Sequence, residues 1–341
     1  MADQAEAANF DELRALFAVL PGPDESAREM AAAREKTLTK PVGALGQLES
    51  LSSWCAAWQG RHPPRLDHPR IAVFAANHGI AARGVSAFPA AVTAQMVANF
   101  QAGGAAINQL CSLHDADLRV YEMALEAPTE DFTRTAAMSE PDCVRAMSYG
   151  MMAVEDEIDI LCLGEMGIAN TTSAAAMCHG LFGGEAADWT GPGTGVAGDA
   201  LTAKIAIVSE AVALHRAALD DPMEVLRRLG GQELAAIAGA VLAARIGRVP
   251  VILDGYACTA AVAVLYAIDE HALDHCIVGH CSAEPGHRRL LDAIGKRPVV
   301  ELDMRLGEAS GAAIALGVLR AAVACHAGMA TFEQARIDGP V

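Results

Sequence analysis

The sequence predicts an α/β fold, a mostly parallel sheet with helices on both faces, plus a small helical domain built from the N- and C-terminal segments. Three observations predict it. Six short apolar runs rich in Val, Ile and Leu recur along the chain, and stretches of helical periodicity separate them. Most runs end in polar or glycine-rich turns: Asn77-His78-Gly79, Gly164-Glu165, Asp254-Gly255 and Gly279-His280. Short apolar strands alternating with helices favour parallel pairing with both faces covered. The turns then share one edge of the sheet, the edge where open α/β proteins bind ligands.

In chain order, the stretch from Met1 to Leu13 carries Asp3, Glu6, Asp11 and Glu12 in place of a basic leader, so no secretory signal is expected. After Lys40-Pro41, the residues Leu45, Leu48, Leu51, Trp54 and Trp58 form a helical stripe. Strands are expected at residues 71–75, 118–121, 158–163, 251–253, 276–278 and 299–302, and helices at 173–178, 200–218 and 233–245. Residues 126–138 are the most loop-like stretch. A long alanine-rich helix is expected over 311–329. Neither terminal segment carries an adjacent strand pattern. Residues 1–66 and 306–341 are therefore assigned to the small helical domain and 67–305 to the α/β domain.

Composition narrows the function. The chain has 341 residues, 52% of them hydrophobic, and a mean hydropathy of +0.26. Its longest apolar block, residues 255–268, is too short to cross a bilayer. A formal net charge of −17 argues against nucleic acid or an anionic membrane as a partner. The nine cysteines are scattered without a C-x-x-C pair, as expected of small core residues in a reducing cytoplasm. Aromatics make up 4%, so close packing of small side chains is expected, and the high apolar fraction suits a subunit interface.

The block Gly164-Glu165-Met166-Gly167-Ile168-Ala169-Asn170-Thr171-Thr172 carries the strongest functional signal. It places a carboxylate between glycines at a strand-to-helix turn, where solubility gives it no purpose. The Asn-Thr-Thr run stands where free N–H groups and the helix dipole favour an anion such as phosphate. Glu308, in Leu306-Gly307-Glu308-Ala309-Ser310-Gly311, repeats the setting. Two glutamates at two helix mouths suggest an enzyme acting on a phosphorylated small molecule. The run Gly193-Thr194-Gly195-Val196-Ala197-Gly198 matches G-x-G-x-x-G, but no strand precedes it and a helix occupies the place of the acidic strand end. It reads as a phosphate-hugging loop. Lys204 either neutralises that phosphate or is a solvated helix lysine.

The remaining motifs divide similarly. Phe88 and Met96 are either an apolar slot for a flat ring, edged by Ser86 and Gln95, or ordinary core. The stretch Ser282-Ala283-Glu284-Pro285-Gly286-His287 either caps the site or is a turn. His271, His275, Cys276, His280 and Cys281 lack zinc spacing, and a strand sends neighbouring side chains to opposite faces, so they read as structural and no metal is assigned. The chain has no H-E-x-x-H, G-x-S-x-G or P-loop, and no motif for gripping pyrophosphate-activated ribose.

Together, Lys40-Pro41-Val42-Gly43-Ala44-Leu45-Gly46, the 164–172 block, Gly230-Gly231, Val251-Ile252-Leu253-Asp254-Gly255, Ser282-Ala283-Glu284 and Met304-Arg305-Leu306-Gly307-Glu308 closely resemble the nicotinate-nucleotide–dimethylbenzimidazole phosphoribosyltransferase family. The resemblance runs from about Lys40 to about Met329. It implies a homodimer with a Rossmann-like sheet that needs no metal or cofactor and prepares the lower ligand of cobalamin. It also implies Glu308 as general base with Glu165 at the same site, Lys204 near the nucleotide, and Ser86 and Gln95 lining the benzimidazole pocket. Substrate contacts are expected from Phe88, Met166, Gly167, Asn170, Thr171, Thr172, Gly193, Gly195, Asp254, Gly255, Ser282 and Leu306. Two positions depart from the family pattern: Asn77 stands where many relatives have Asp, and Ala309 where Gly is usual.

Overall fold

A computed structural model describes residues 9–338; Asp3 and Glu6, read against a secretory signal, lie outside the described residues. Six strands form one parallel sheet: β1 (Pro69–Ala75), β2 (Asp117–Glu122), β3 (Ile160–Met166), β4 (Val251–Leu253), β5 (Cys276–His280) and β6 (Pro298–Val300). Their spatial order is β2-β1-β3-β4-β5-β6. The chain moves outward from β1 to β2, then returns to the other side of β1 and continues in order. The carboxyl ends of β1 and β3 therefore flank a topological switch point.

Strand alternation divides the interior into two cores. Ile71, Val73, Ile160, Cys162 and Ile252 face one side, packed by the helices Gln47–Gln59, Ala106–His114 and Ser310–Gly328. Ala72, Phe74, Leu161, Leu163, Val251 and Leu253 face the other, under Glu140–Met151, Asn170–Phe182, Gln232–Ile246 and Tyr256–Ile268. Residues from Glu233 to Arg245 are buried throughout, as a helix apolar on all sides requires.

All six expected strands are present, with two shifts that matter. The third expected strand, residues 158–163, runs instead over Ile160–Met166, with Glu165 paired to Phe74 and Met166 to Ala75. The ladder offered by β1 continues to Ala75, so Glu165 belongs to the strand's last pairs and not to a loose turn. The sixth, expected at 299–302, is the short edge strand Pro298–Val300, opened by a proline where a sheet tolerates one.

The N- and C-terminal helical segments meet within the described residues. Leu38 bridges to Thr331, Arg34 Nε donates to the His326 carbonyl at 2.7 Å, and Lys40 sits between Glu35 (2.8 Å) and Glu49 (2.7 Å). Division into a sheet domain and an end-built helical part remains our proposal, supported by these contacts. The helix Ser310–Gly328 also packs directly on the sheet through Ala312, Ala313 and Leu316. Among the described residues this helix, and not the 255–268 block, is the one long and apolar enough to cross a bilayer. Here its apolar face is part of the core.

Candidate active site

A cleft of ≈ 250 Å³ opens at the carboxyl ends of β3, β4 and β5, lined by Glu165, Thr171, Gly193, His280, Glu284 and Arg305 among others. Its position follows from the topology: parallel strands deliver all the loops that follow them to one edge. Glu165 is the penultimate residue of β3, and Asn170, on the first turn of the helix Asn170–Phe182, donates to its Oε2. Burial raises the Glu165 carboxyl to about 8; the Asn170 hydrogen bond opposes this, while Asp254, Glu233 and Glu308 reinforce it.

Glu308 lies in a run of three left-handed residues, Gly307 (φ +82°), Glu308 (+62°) and Ala309 (+61°). Non-glycine residues hold that conformation only where the surroundings impose it. The surroundings can be named. Glu308 N–H donates to the Glu165 carbonyl at 3.1 Å, and Ser310 Oγ donates to the Gly307 carbonyl at 2.7 Å. Asp254, fully buried at the end of β4, accepts from the N–H groups of Gly311 (2.6 Å) and Ala312 (3.0 Å). That carboxylate anchors the helix start just after Glu308. Burial pushes the Glu308 carboxyl up to about 7, with Asp254 adding to the effect. Burial thus lifts two carboxyl groups at one site toward neutrality.

On the opposite wall, the glycine loop is clamped from three sides. Lys204 Nζ donates to Thr171 Oγ1 (2.9 Å) and the Gly191 carbonyl (3.0 Å). Arg305 donates to the Gly193 carbonyl at 2.8 Å, and Glu284 Oε1 accepts from Gly193 N–H at 2.8 Å. Lys204 is 1% exposed, which removes the solvated-lysine alternative, and burial lowers its ammonium to about 8.

Residues 20–337 match the family described as Phosphoribosyltransferase. The chain belongs to this family. It is 58% identical over 332 residues to a nicotinate-nucleotide–dimethylbenzimidazole phosphoribosyltransferase of Rhizobium etli, covering 97% of each chain. It is 57% identical to the Sinorhizobium medicae protein of the same name over 97% of this chain and 98% of that one. Two crystal structures from Thermus thermophilus share the fold: one described under that same enzyme name (TM-score 0.84, 36% identity, 93% of this chain and 100% of the other) and one described as CobT (TM-score 0.85, 37% identity, 92% and 100%).

Within this phosphoribosyltransferase, ten of the residues singled out from sequence line the cleft: Phe88, Glu165, Met166, Gly167, Asn170, Thr171, Gly193, Gly255, Ser282 and Leu306. Thr172, Lys204, Asp254 and Glu308 are buried beside or behind it. Ser86 braces the glycine loop through a 2.8 Å contact with Thr194 Oγ1. Gly195 and Gln95 do not line the cleft; Gln95 is exposed on the helix Val92–Gln101. Met96 packs into the sheet core, so the two-sided slot reduces to Phe88 alone. The histidines diverge: His271 is exposed beside Asp274, His275 is buried 3.0 Å from the Val241 carbonyl, and His280 lies 3.7 Å from Asp254. His280, Tyr256, Thr194 and Arg305 also line the cleft, although the sequence does not assign them there. For Arg305 the available signal is its place three residues before Glu308; His280 is visible only as the residue ending a strand.

Proposed function

We propose that the cleft transfers the phosphoribosyl group of nicotinate mononucleotide to 5,6-dimethylbenzimidazole, giving α-ribazole 5′-phosphate and nicotinate for the nucleotide loop of cobalamin. The observation that carries it is the pair Glu165–Glu308, two buried carboxyl groups with displaced acidities at the carboxyl edge of the sheet, in a chain of this family. In nicotinate mononucleotide C1′ already bears a cationic pyridinium, so the leaving group departs as neutral nicotinate ring nitrogen without protonation. The incoming ring nitrogen bonds to C1′ from the opposite face, inverting β to α. Its partner N–H becomes acidic as that bond forms, and Glu308 accepts the proton. Burial raises both carboxyl groups toward neutrality, where a carboxyl group can serve as proton acceptor or as hydrogen-bond donor; Glu308 is assigned the first role and Glu165 the second.

Phe88 and Leu306, 52% and 55% exposed at the cleft, supply apolar faces for a flat acceptor, with Met166 beside them. Thr171 and Arg305, which line the cleft, and Lys204, bonded to Thr171 Oγ1 from behind, are the groups we assign to the 5′-phosphate. The homodimer belongs to the same proposal, supported by exposed apolar side chains such as Leu113, Met152 and Leu214. So does a cytoplasmic location, supported by nine free thiols.

Product identification tests the reading. Nicotinate release from the mononucleotide is expected to accelerate on adding dimethylbenzimidazole, with an α-riboside phosphate as product. Its kcat/KM should rise through about pH 7 as Glu308 loses its proton and fall above about pH 8 as Glu165 loses its own. Release indifferent to the base, with free ribose phosphate as product, would assign a hydrolase instead. Lys204→Ala is expected to raise KM for the nucleotide and to erase its preference over the dephosphorylated nucleoside. Unchanged discrimination would take Lys204 out of the phosphate site.

A further inference from the structure

Beneath the cleft lies a hydrogen-bonded unit that the reaction as described does not use. His78 Nε2 stands 2.6 Å from Glu233 Oε1, both side chains wholly buried, and His78 Nδ1 stands 3.1 Å from Ser173 Oγ. His78 follows β1, Ser173 belongs to the first turn after β3, and Glu233 to the first turn of Gln232–Ile246. One imidazole thus ties together both sides of the switch point and the helix behind it.

The backbone is cut back to admit this unit. A Cβ on Gly231 would stand 2.2 Å from His78 Cε1 and 2.8 Å from Glu233 Oε2. A Cβ on Gly167 would stand 3.0 Å from Glu233 Oε1 and 3.2 Å from His78 Nε2. Gly167 lines the cleft, so the pair lies directly under its floor. Glu233 Oε2 has no hydrogen-bond partner among the described residues. A buried carboxyl with one oxygen unsatisfied is costly, and an apolar pair of similar volume would serve packing better. Stability therefore does not account for it.

We propose that His78 and Glu233, steered by Ser173, are positioning residues for the phosphoribosyl transfer: they hold the Met166–Gly167 floor and set the electrostatic environment of the Glu165 carboxyl from below. This rests on the transfer reaction proposed above. The groups that face Glu165 are Asp254 from the end of β4, Glu308 from the loop before Ser310–Gly328, Glu233 from behind, and the donor Asn170. Three are acidic, and of them Glu233 alone belongs to this histidine-bonded unit. Replacing it alters the field at Glu165 while leaving Glu308 and its anchor Asp254 in place.

The experiment compares the wild-type enzyme with Glu233→Gln and Ser173→Ala, measuring kcat, KM for each substrate, and the titration of Glu165 by carboxyl-carbon NMR. In Glu233→Gln the Glu165 titration and the alkaline limb of kcat/KM are expected to move to lower pH, because an acidic neighbour has been removed. Both KM values should stay within about twofold while kcat falls about tenfold. Ser173→Ala, which removes one hydroxyl, should lower kcat several-fold with unchanged KM, and it carries the test should Glu233→Gln not fold. A folded Glu233→Gln whose Glu165 titration and kcat match the wild type, with only a lower Tm, would overturn the proposal; so would Ser173→Ala with unchanged kcat. The NMR titration does not depend on turnover, so a wild-type enzyme that forms no riboside would refute the reaction and leave the Glu233–Glu165 coupling separately readable.

Discussion

Glu308→Gln is expected to give a folded protein that binds nucleotide and loses about 10²–10⁴-fold in turnover. The amide matches the carboxyl in shape but cannot take the ring proton. Loss of folding is not an alternative explanation, because the linkage runs the other way. The Glu308 carboxyl is raised by burial from its ordinary value of 4.5 to about 7. The folded state therefore holds this proton more tightly than the unfolded chain does. Its contribution is fully present below about pH 4.5 and is lost as pH rises through about 7. Above that pH the wild type keeps a charge in a buried place and the amide does not. Glu308→Gln should accordingly melt at the wild-type temperature or a few degrees higher at pH 8. Near-normal turnover in this variant, measured as base-dependent nicotinate release, would remove Glu308 from the role of base.

Glu308 and Glu165 are legible in the sequence because each combines a carboxylate with flanking glycines at a helix mouth, a local signal. The central strands are legible for a similar reason: β1, β3 and β4 are covered on both faces and are therefore apolar along most of their length. The edge strand β2, with exposed Asp117, Arg119 and Glu122, is legible only through Leu118, Val120 and Tyr121. What is not legible depends on how distant segments meet. Lys204 sits on a helix whose sequence does not mark which face is buried, and only the contacts with Thr171 and Gly191 show that it points inward. Asp254 reads as a substrate contact in the sequence, whereas its Oδ1 holds two N–H groups 57 and 58 residues away. His78 and Glu233 are 155 residues apart, and nothing local in either marks the other. Family resemblance places Gln95 at the site, and in the structure its helix turns it to solvent.

Gly164→Ala is expected to disable the site as thoroughly as removing the base, while leaving Glu165 and Glu308 chemically intact. Gly164 lies one residue before Glu165 in β3, and its Cα faces the loop that carries Glu308. A Cβ there would stand 2.1 Å from the Ala309 nitrogen and 2.5 Å from both its Cα and its Cβ. Two of those three atoms are backbone, so no rotamer change relieves the clash. The strand cannot retreat, because Gly164 is paired in register with Val73 in the middle of the sheet. The loop must move, and with it the hydrogen bond from Glu308 N–H to the Glu165 carbonyl. Such overpacking costs about 1–3 kcal/mol, and a displacement of about 1 Å at a catalytic group costs about 10²-fold in rate. Denaturant unfolding together with base-dependent nicotinate release reads both effects. Adding Ala309→Gly sharpens the test. It deletes one of the three clashing atoms and suits the +61° φ of that residue, so it should return part of the lost stability. The Ala309 nitrogen and Cα remain where they were, so turnover should stay low. Full recovery of rate in the double variant would show that the side chain, and not the backbone approach at Gly164, sets the position of Glu308.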